Sequence, residues 1–163
     1  MLLILTGPAG AGKNTVSKIL SSERKKCAIV DVDTVRHMIT KPHRAPWDGE
    51  EGQKQVALGI RNACILTKNF IAEGFDVIIL DVITDEIARI YKESLSQFNP
   101  KIVLLLPTLE ETLKRNKSRD FTLEEERVKI LHMEQGKLKE FDEKIDSTEL
   151  TLEETADRIK GVV

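Results

Sequence analysis

The sequence predicts an α/β domain, a three-layer sandwich whose five-stranded parallel sheet carries helices on both faces. Three observations lead there. Short, almost continuously apolar runs recur along the chain, as strands covered on both faces require. Segments with apolar residues at helical spacing lie between them. A glycine-rich loop joins the first apolar run to the first helical segment.

The first run is Leu2–Thr6, and the loop is Gly7-Pro8-Ala9-Gly10-Ala11-Gly12-Lys13. The helical segment Lys13–Ser22 follows at once, with Val16, Ile19 and Leu20 on its apolar face. Gly7-x-x-x-x-Gly12-Lys13 between a strand and a helix has the spacing of a phosphate-binding P-loop. Glycines let backbone N–H groups approach phosphate oxygens with no Cβ in the way. The helix start directs its positive end at the same anion, and Lys13 adds a full charge for the outer phosphates. In this pattern the next residue is Ser or Thr, whose hydroxyl binds Mg²⁺; here it is Asn14, followed by Thr15. The nucleotide-binding set is therefore Gly7 to Thr15, and the expected ligands are ATP and Mg²⁺.

Further strands are expected at Cys27–Val32, Asp76–Val82, Lys101–Leu106 and Lys144–Thr148. Helices are expected at Glu51–Glu73, at Thr84–Gln97 and in a last segment with Leu152, Ala156, Ile159 and Val163 at i, i+4, i+7 and i+11. The string Thr-Leu-Glu-Glu occurs at 108–111, 122–125 and 151–154 with no larger repeat around it. Each copy reads as a capping box, marking helix starts at Thr108, Thr122 and Thr151. The irregular stretch 41–50 holds two prolines and the only tryptophan, Trp47.

Length and composition bound the function. A chain of 163 residues is one domain by the length prior, residues 1–163. The net charge of −2 argues against broad electrostatic binding to nucleic acid or anionic membranes. The N-terminal apolar run is too short for a signal peptide and has no basic residues before it, and no stretch approaches a membrane span. Cys27 and Cys64 form no ligand pattern and fall in apolar stretches, so buried reduced thiols in a cytoplasmic protein are expected.

Carboxylates close two strands. The second ends Val30-Asp31-Val32-Asp33, and residues two apart on a strand face the same way. At the carboxyl end of a parallel sheet they sit beside the phosphate loop if the second strand lies near the first, and there one acid suits Mg²⁺ and the other a proton from an attacking hydroxyl. The bland alternative is that Asp33 caps a helix beginning near Thr34. Asp81 ends Val77–Leu80 like a Walker B acid, so Asp31 and Asp81 both stand as candidates for the metal side. Arg36, His37, Lys41, His43 and Arg44 form a cationic patch suited to a small anionic substrate, or else a solvated face. Arg115 and Arg119 lie four apart after Thr108, at the start of a stretch that suits a mobile arginine-bearing lid; exposed surface charge is the alternative. Asn116-Lys117-Ser118-Arg119-Asp120 misses the guanine motif of GTPases by one position and is rejected as such.

Together these residues resemble the small-molecule kinases of the P-loop superfamily: gluconate kinases, shikimate kinases and chloramphenicol phosphotransferases. The likeness spans nearly the whole chain. It rests on the P-loop, on Asp31-Val32-Asp33 after the second strand and on Arg115-x-x-x-Arg119. Arg44-Ala45-Pro46-Trp47 is similar to an Arg-x-Pro-Trp segment of gluconate kinases, which makes gluconate the best single acceptor. The resemblance implies an acceptor-side segment at about 33–50 and a lid at about 115–137. It implies Arg115 near the adenine, Arg119 near the transferring phosphate, Asp33 at the acceptor hydroxyl and Arg36 on the acceptor's anionic group, in a monomer or homodimer. The stretch from Trp47 to Asp81 also resembles tunicamycin-resistance-type ATP-binding proteins. The alternatives are a nucleotide kinase with a phosphate acceptor and a nucleotide-binding protein without kinase chemistry.

Overall fold

The computed structural model describes residues 1–118 and 122–163. The strands are β1 (Leu2–Thr6), β2 (Cys27–Asp31), β3 (Asp76–Leu80), β4 (Lys101–Leu105) and β5 (Glu143–Ile145). The helices are α1 (Lys13–Ser22), α2 (Val32–His37), α3 (Gly49–Ala72), α4 (Asp85–Ser94), α5 (Leu109–Lys117), α6 (Glu125–Gly136) and α7 (Leu152–Lys160), with a 3₁₀ turn at Ser96–Phe98. All strand pairs are parallel, in the order β2-β3-β1-β4-β5.

Alternation along β1 builds both cores. Leu2 and Ile4 join Ile60, Ala63, Ile79, Tyr91 and Leu104 on one face. Leu3 and Leu5 join Val16, Leu20, Ile78, Ala156 and Ile159 on the other. The core strands are buried on both sides, which explains their unbroken apolar sequence. Among the described residues, no helix is long and apolar enough to cross a membrane.

Several expectations need correction. β2 does not lie beside β1, because β3 is inserted between them. The second strand stops at Asp31, whose carboxylate accepts from the backbone N–H of Asp33 and Thr34 and so caps α2. Asp33 therefore sits in the first turn of a helix, and the two acids do not share a strand face. The capping residue is Asp31 rather than Asp33. Thr151 makes a complete capping box with Glu154, and Thr108 accepts from the Glu111 N–H at 3.4 Å. Thr122 is not the N-cap of α6, which begins two residues later, after Glu124. The segment 84–97 is helical only to Ser94 before tightening into the 3₁₀ turn. Cys64 is buried but Cys27 is half-buried, and both are free thiols.

Candidate active site

The carboxyl ends of β1, β2 and β3 meet at one edge, where Asp31 pairs in register with Leu80, and Leu80 with Leu5. From β1 the chain turns into the phosphate loop. Gly7 (φ 147°) lies so close to β4 that a Cβ there would sit 2.2 Å from the Leu105 carbonyl oxygen. Gly10 (φ 89°) is pressed from behind by α5, and a Cβ would come within 2.6 Å of the Thr112 carbonyl oxygen. Neither position tolerates a side chain without backbone movement. Pro8 and Ala11 are buried and Ala9 is half-buried; the Pro8 carbonyl accepts from Ala11 N–H at 3.1 Å. Gly12 is the N-cap of α1 in a left-handed conformation. Lys13 Nζ folds back to donate to the carbonyls of Gly7 at 2.6 Å and Pro8 at 3.1 Å.

Asn14 and Thr15 are exposed on the first turn of α1. Asn14 Nδ2 donates to Asp31 Oδ2 at 3.4 Å, so Asp31 reaches the loop even though β2 is two strands away from β1. With the amide nitrogen turned to Asp31, the amide oxygen is the group Asn14 presents elsewhere. It is a hard oxygen donor in place of the expected hydroxyl. Asn14, Asp31 and Asp81 supply only oxygen donors, and few of them. That fits Mg²⁺, which keeps several waters and takes one or two carboxylates together with phosphate oxygens. Among the described residues, no cluster of three or more His, Cys, Asp or Glu has the arrangement of an all-protein metal cage.

Asp81 is the most perturbed acid of the site. Its Oδ2 accepts from the hydroxyl of the fully buried Tyr91 at 2.8 Å, and its Oδ1 from Val82 N–H at 2.8 Å. Desolvation raises its pKa to about 6 and outweighs both hydrogen bonds; Asp33 adds a further upward push and Lys13 a downward one.

In the segment expected on the acceptor side, Asp33 is largely exposed and pairs with Arg36 Nη1 at 2.9 Å. Arg36 is buried, 7% exposed, and its Nη2 donates to the Arg44 carbonyl at 3.2 Å. It packs on α3 at Gly59, where a Cβ would lie 2.5 Å from Arg36 Cγ. Arg36 is thus an internal brace between Asp33 and the 41–48 loop rather than an exposed cation. Arg44 is exposed, while its N–H is held by the buried Gln55, which also donates to the Pro42 carbonyl. The rings of His37 and His43 stand 4.8 Å apart beside them.

At the other end of the site, Arg115 bonds Glu111 at 2.8 Å and the Ser147 carbonyl at 2.8 Å, which fixes α5 to the loop after β5. Arg119 and Phe121 lie outside the described residues. Asn116 is buried and exchanges two hydrogen bonds with the backbone of Leu123. The base of α6 is anchored by Gln135, which accepts from the Thr6 hydroxyl at 2.9 Å and donates to the Ile83 carbonyl at 2.7 Å. Sequence reasoning missed Tyr91 and Gln135. Tyr91 reads as one more apolar-face residue of its helix, and nothing local marks Gln135, whose partners are more than fifty residues away.

No family model matches the chain, and no curated protein sequence matches it. Solved structures do. A shikimate kinase from Bacteroides thetaiotaomicron superposes with a TM-score of 0.66 at 16% identity, covering 99% of this chain and 97% of that one. This chain has the shikimate-kinase-like P-loop fold. The Deinococcus radiodurans tunicamycin resistance protein gives 0.70 at 17% identity, covering 98% of this chain and 94% of that one. A sugar kinase from Janibacter sp. gives 0.68 at 15% identity, covering 98% and 92%. At such identities the likeness is one of fold.

Proposed function

We propose that this chain is an ATP-dependent phosphotransferase that moves the γ-phosphoryl group of ATP to a hydroxyl of a small, anionic metabolite, with gluconate the first acceptor to test. One observation carries the reading. Asn14 of the P-loop touches Asp31, and Asp31 caps the helix that carries the exposed, braced carboxylate of Asp33, so loop and acid are joined at the carboxyl edge of the sheet. The resemblance of Arg44-Ala45-Pro46-Trp47 to gluconate kinases supports the choice of acceptor. The sugar-kinase and shikimate-kinase fold likenesses support a hydroxyl-bearing metabolite.

In this mechanism the loop amides from Gly7 to Thr15 and Lys13 Nζ hold the outer phosphates, exchanging the loop carbonyls that Lys13 now bonds for phosphate oxygens. Asp33 takes the proton of the acceptor hydroxyl as its oxygen attacks the γ-phosphorus. The bond from that phosphorus to the β–γ bridging oxygen breaks, and ADP leaves. Asn14, Asp31 and Asp81 are the residues that would hold Mg²⁺, directly or through water, and the ion would supply neutralisation of charge on the phosphates. Arg115 lines the adenine side, and Arg119 completes the charge compensation from the lid segment of about 115–137.

A coupled ADP-release assay over D-gluconate, other sugar acids, shikimate, nucleosides and nucleotides tests the reading. Acceptor-stimulated turnover that Lys13→Ala abolishes supports it. Tight ATP binding with no stimulation by any of these acceptors overturns it in favour of a non-catalytic nucleotide-binding protein. That second reading is favoured by Asn14 at the hydroxyl position and by the fold likeness to a tunicamycin resistance protein.

A further inference from the structure

The sequence points to Arg36 and Arg44 as the cations for an anionic acceptor, but Arg36 is buried with both terminal nitrogens spent on Asp33 and the Arg44 carbonyl. The Arg44 side chain is exposed, where water competes for its charge. A third arginine reaches this side of the site from a different element. Arg127, on α6, places its Cζ 4.0 Å from the centroid of the Trp47 ring. Trp47 stands three residues after Arg44 on the loop that Arg36 ties to Asp33, and it is 52% exposed.

Arg127 is half-buried and, among the described residues, pairs with no carboxylate, although α6 opens with Glu125 and Glu126. Glu125 pairs instead with Lys129 at 3.2 Å. Stacking uses the face of a guanidinium and leaves its in-plane N–H donors open, the geometry that grips a carboxylate or phosphate with two parallel bonds. The aromatic wall also lowers the local dielectric and strengthens such a bond.

We propose that Arg127, held over Trp47, is the residue that recognises the oxyanion group of the acceptor. This rests on the phosphotransferase reading. α6 then supplies specificity from across the site, and Trp47 orients the guanidinium while forming one wall for the acceptor's carbon skeleton.

Trp47 is the only tryptophan in the chain, so its emission reports on this pair alone. The full chain with Mg²⁺ and a non-hydrolysable ATP analogue is titrated with D-gluconate and shikimate as carboxylate probes, with inorganic phosphate as the phosphate probe and with glucose as a neutral control. A saturable change with a carboxylate or with phosphate, none with glucose, and an affinity at least about tenfold weaker in Arg127→Gln are expected. Arg127→Lys, which keeps the charge but not the fork, falls between them. Calorimetry on the same samples checks that each variant still binds the nucleotide analogue. No oxyanion probe altering Trp47 emission, or Arg127→Gln binding its anion as tightly as the natural chain, overturns the proposal. If an acceptor is turned over with an unchanged KM in Arg127→Gln, the Arg127 role falls and the phosphotransferase reading stands. If the natural chain binds no nucleotide, both fall.

Discussion

The hydroxyl of Tyr91 donates to Asp81 Oδ2 at 2.8 Å, so the acid at the tip of β3 rests on a buried phenol from α4. Burial nonetheless leaves the carboxyl with a pKa of about 6 against an ordinary 3.8. The folded chain therefore holds this proton more tightly than the unfolded chain does. Stability contributed by the neutral acid is full below about 4 and is lost as pH rises through about 6. Thermal melts of Asp81→Asn against the natural chain from pH 4.5 to 7.5 should diverge by about 1–3 kcal/mol. Parallel profiles would show that Asp81 is not desolvated. Tyr91→Phe removes a bond to the ionised acid and should move the transition to higher pH.

Asn14 shares its amide with Asp31 at 3.4 Å, in the place where a hydroxyl is usual for this loop. Asn14→Thr restores the hydroxyl and should lower the Mg²⁺ concentration needed for half-maximal nucleotide binding several-fold. Titration of ATP affinity against Mg²⁺ measures this. An unchanged or increased requirement would mean that the amide oxygen serves the metal equally well.

Gly10→Ala combines a left-handed backbone at φ 89° with a Cβ driven into the Thr112 carbonyl oxygen. The expected destabilisation is about 1–3 kcal/mol, with ATP affinity reduced more than tenfold. Gly12→Ala is the matched control. Its φ of 93° carries backbone strain, but its nearest contact is a Leu152 methyl at 3.8 Å. It should destabilise the fold less.

Asp33→Asn should leave ATP affinity within about twofold and reduce transfer by about a hundredfold or more. Arg36→Lys cannot span both Asp33 and the Arg44 carbonyl. It should lower stability by about 1–3 kcal/mol and depress kcat with little change in the KM for ATP. A change in acceptor KM alone would instead place Arg36 in direct contact with the acceptor.

The sheet and the phosphate loop were legible because their signals are local: unbroken apolar runs, glycine spacing, and the Thr108 and Thr151 caps. Helix α1 falls at the predicted Lys13–Ser22. The segment 31–50, expected on the acceptor side, was harder to read because its logic is long-range. Asp31-Val32-Asp33 looks like a strand end, yet Asp31 turns the chain into α2 by capping it, and that sends Asp33 to a helix. Arg36 looks like an exposed charge because its sequence neighbours are charged. Only the close approach of α3 at Gly59 encloses it. Trp47 and Arg127 are eighty residues apart, and no spacing rule joins them. Thr122 shows the reverse failure, a sound local capping pattern that is not where α6 starts.

The insertion of β3 between β1 and β2 sets a distance. Two inter-strand steps separate the strand that feeds the phosphate loop from the strand that feeds Asp33, about 10 Å at ordinary sheet spacing. Side chains bridge that backbone span at one point, where Asn14 Nδ2 reaches Asp31 Oδ2 at 3.4 Å. The strand order thus acts as a caliper: it sets the backbone separation between the phosphate loop and the chain leading to Asp33, and in the phosphotransferase reading the acceptor would stand across that gap.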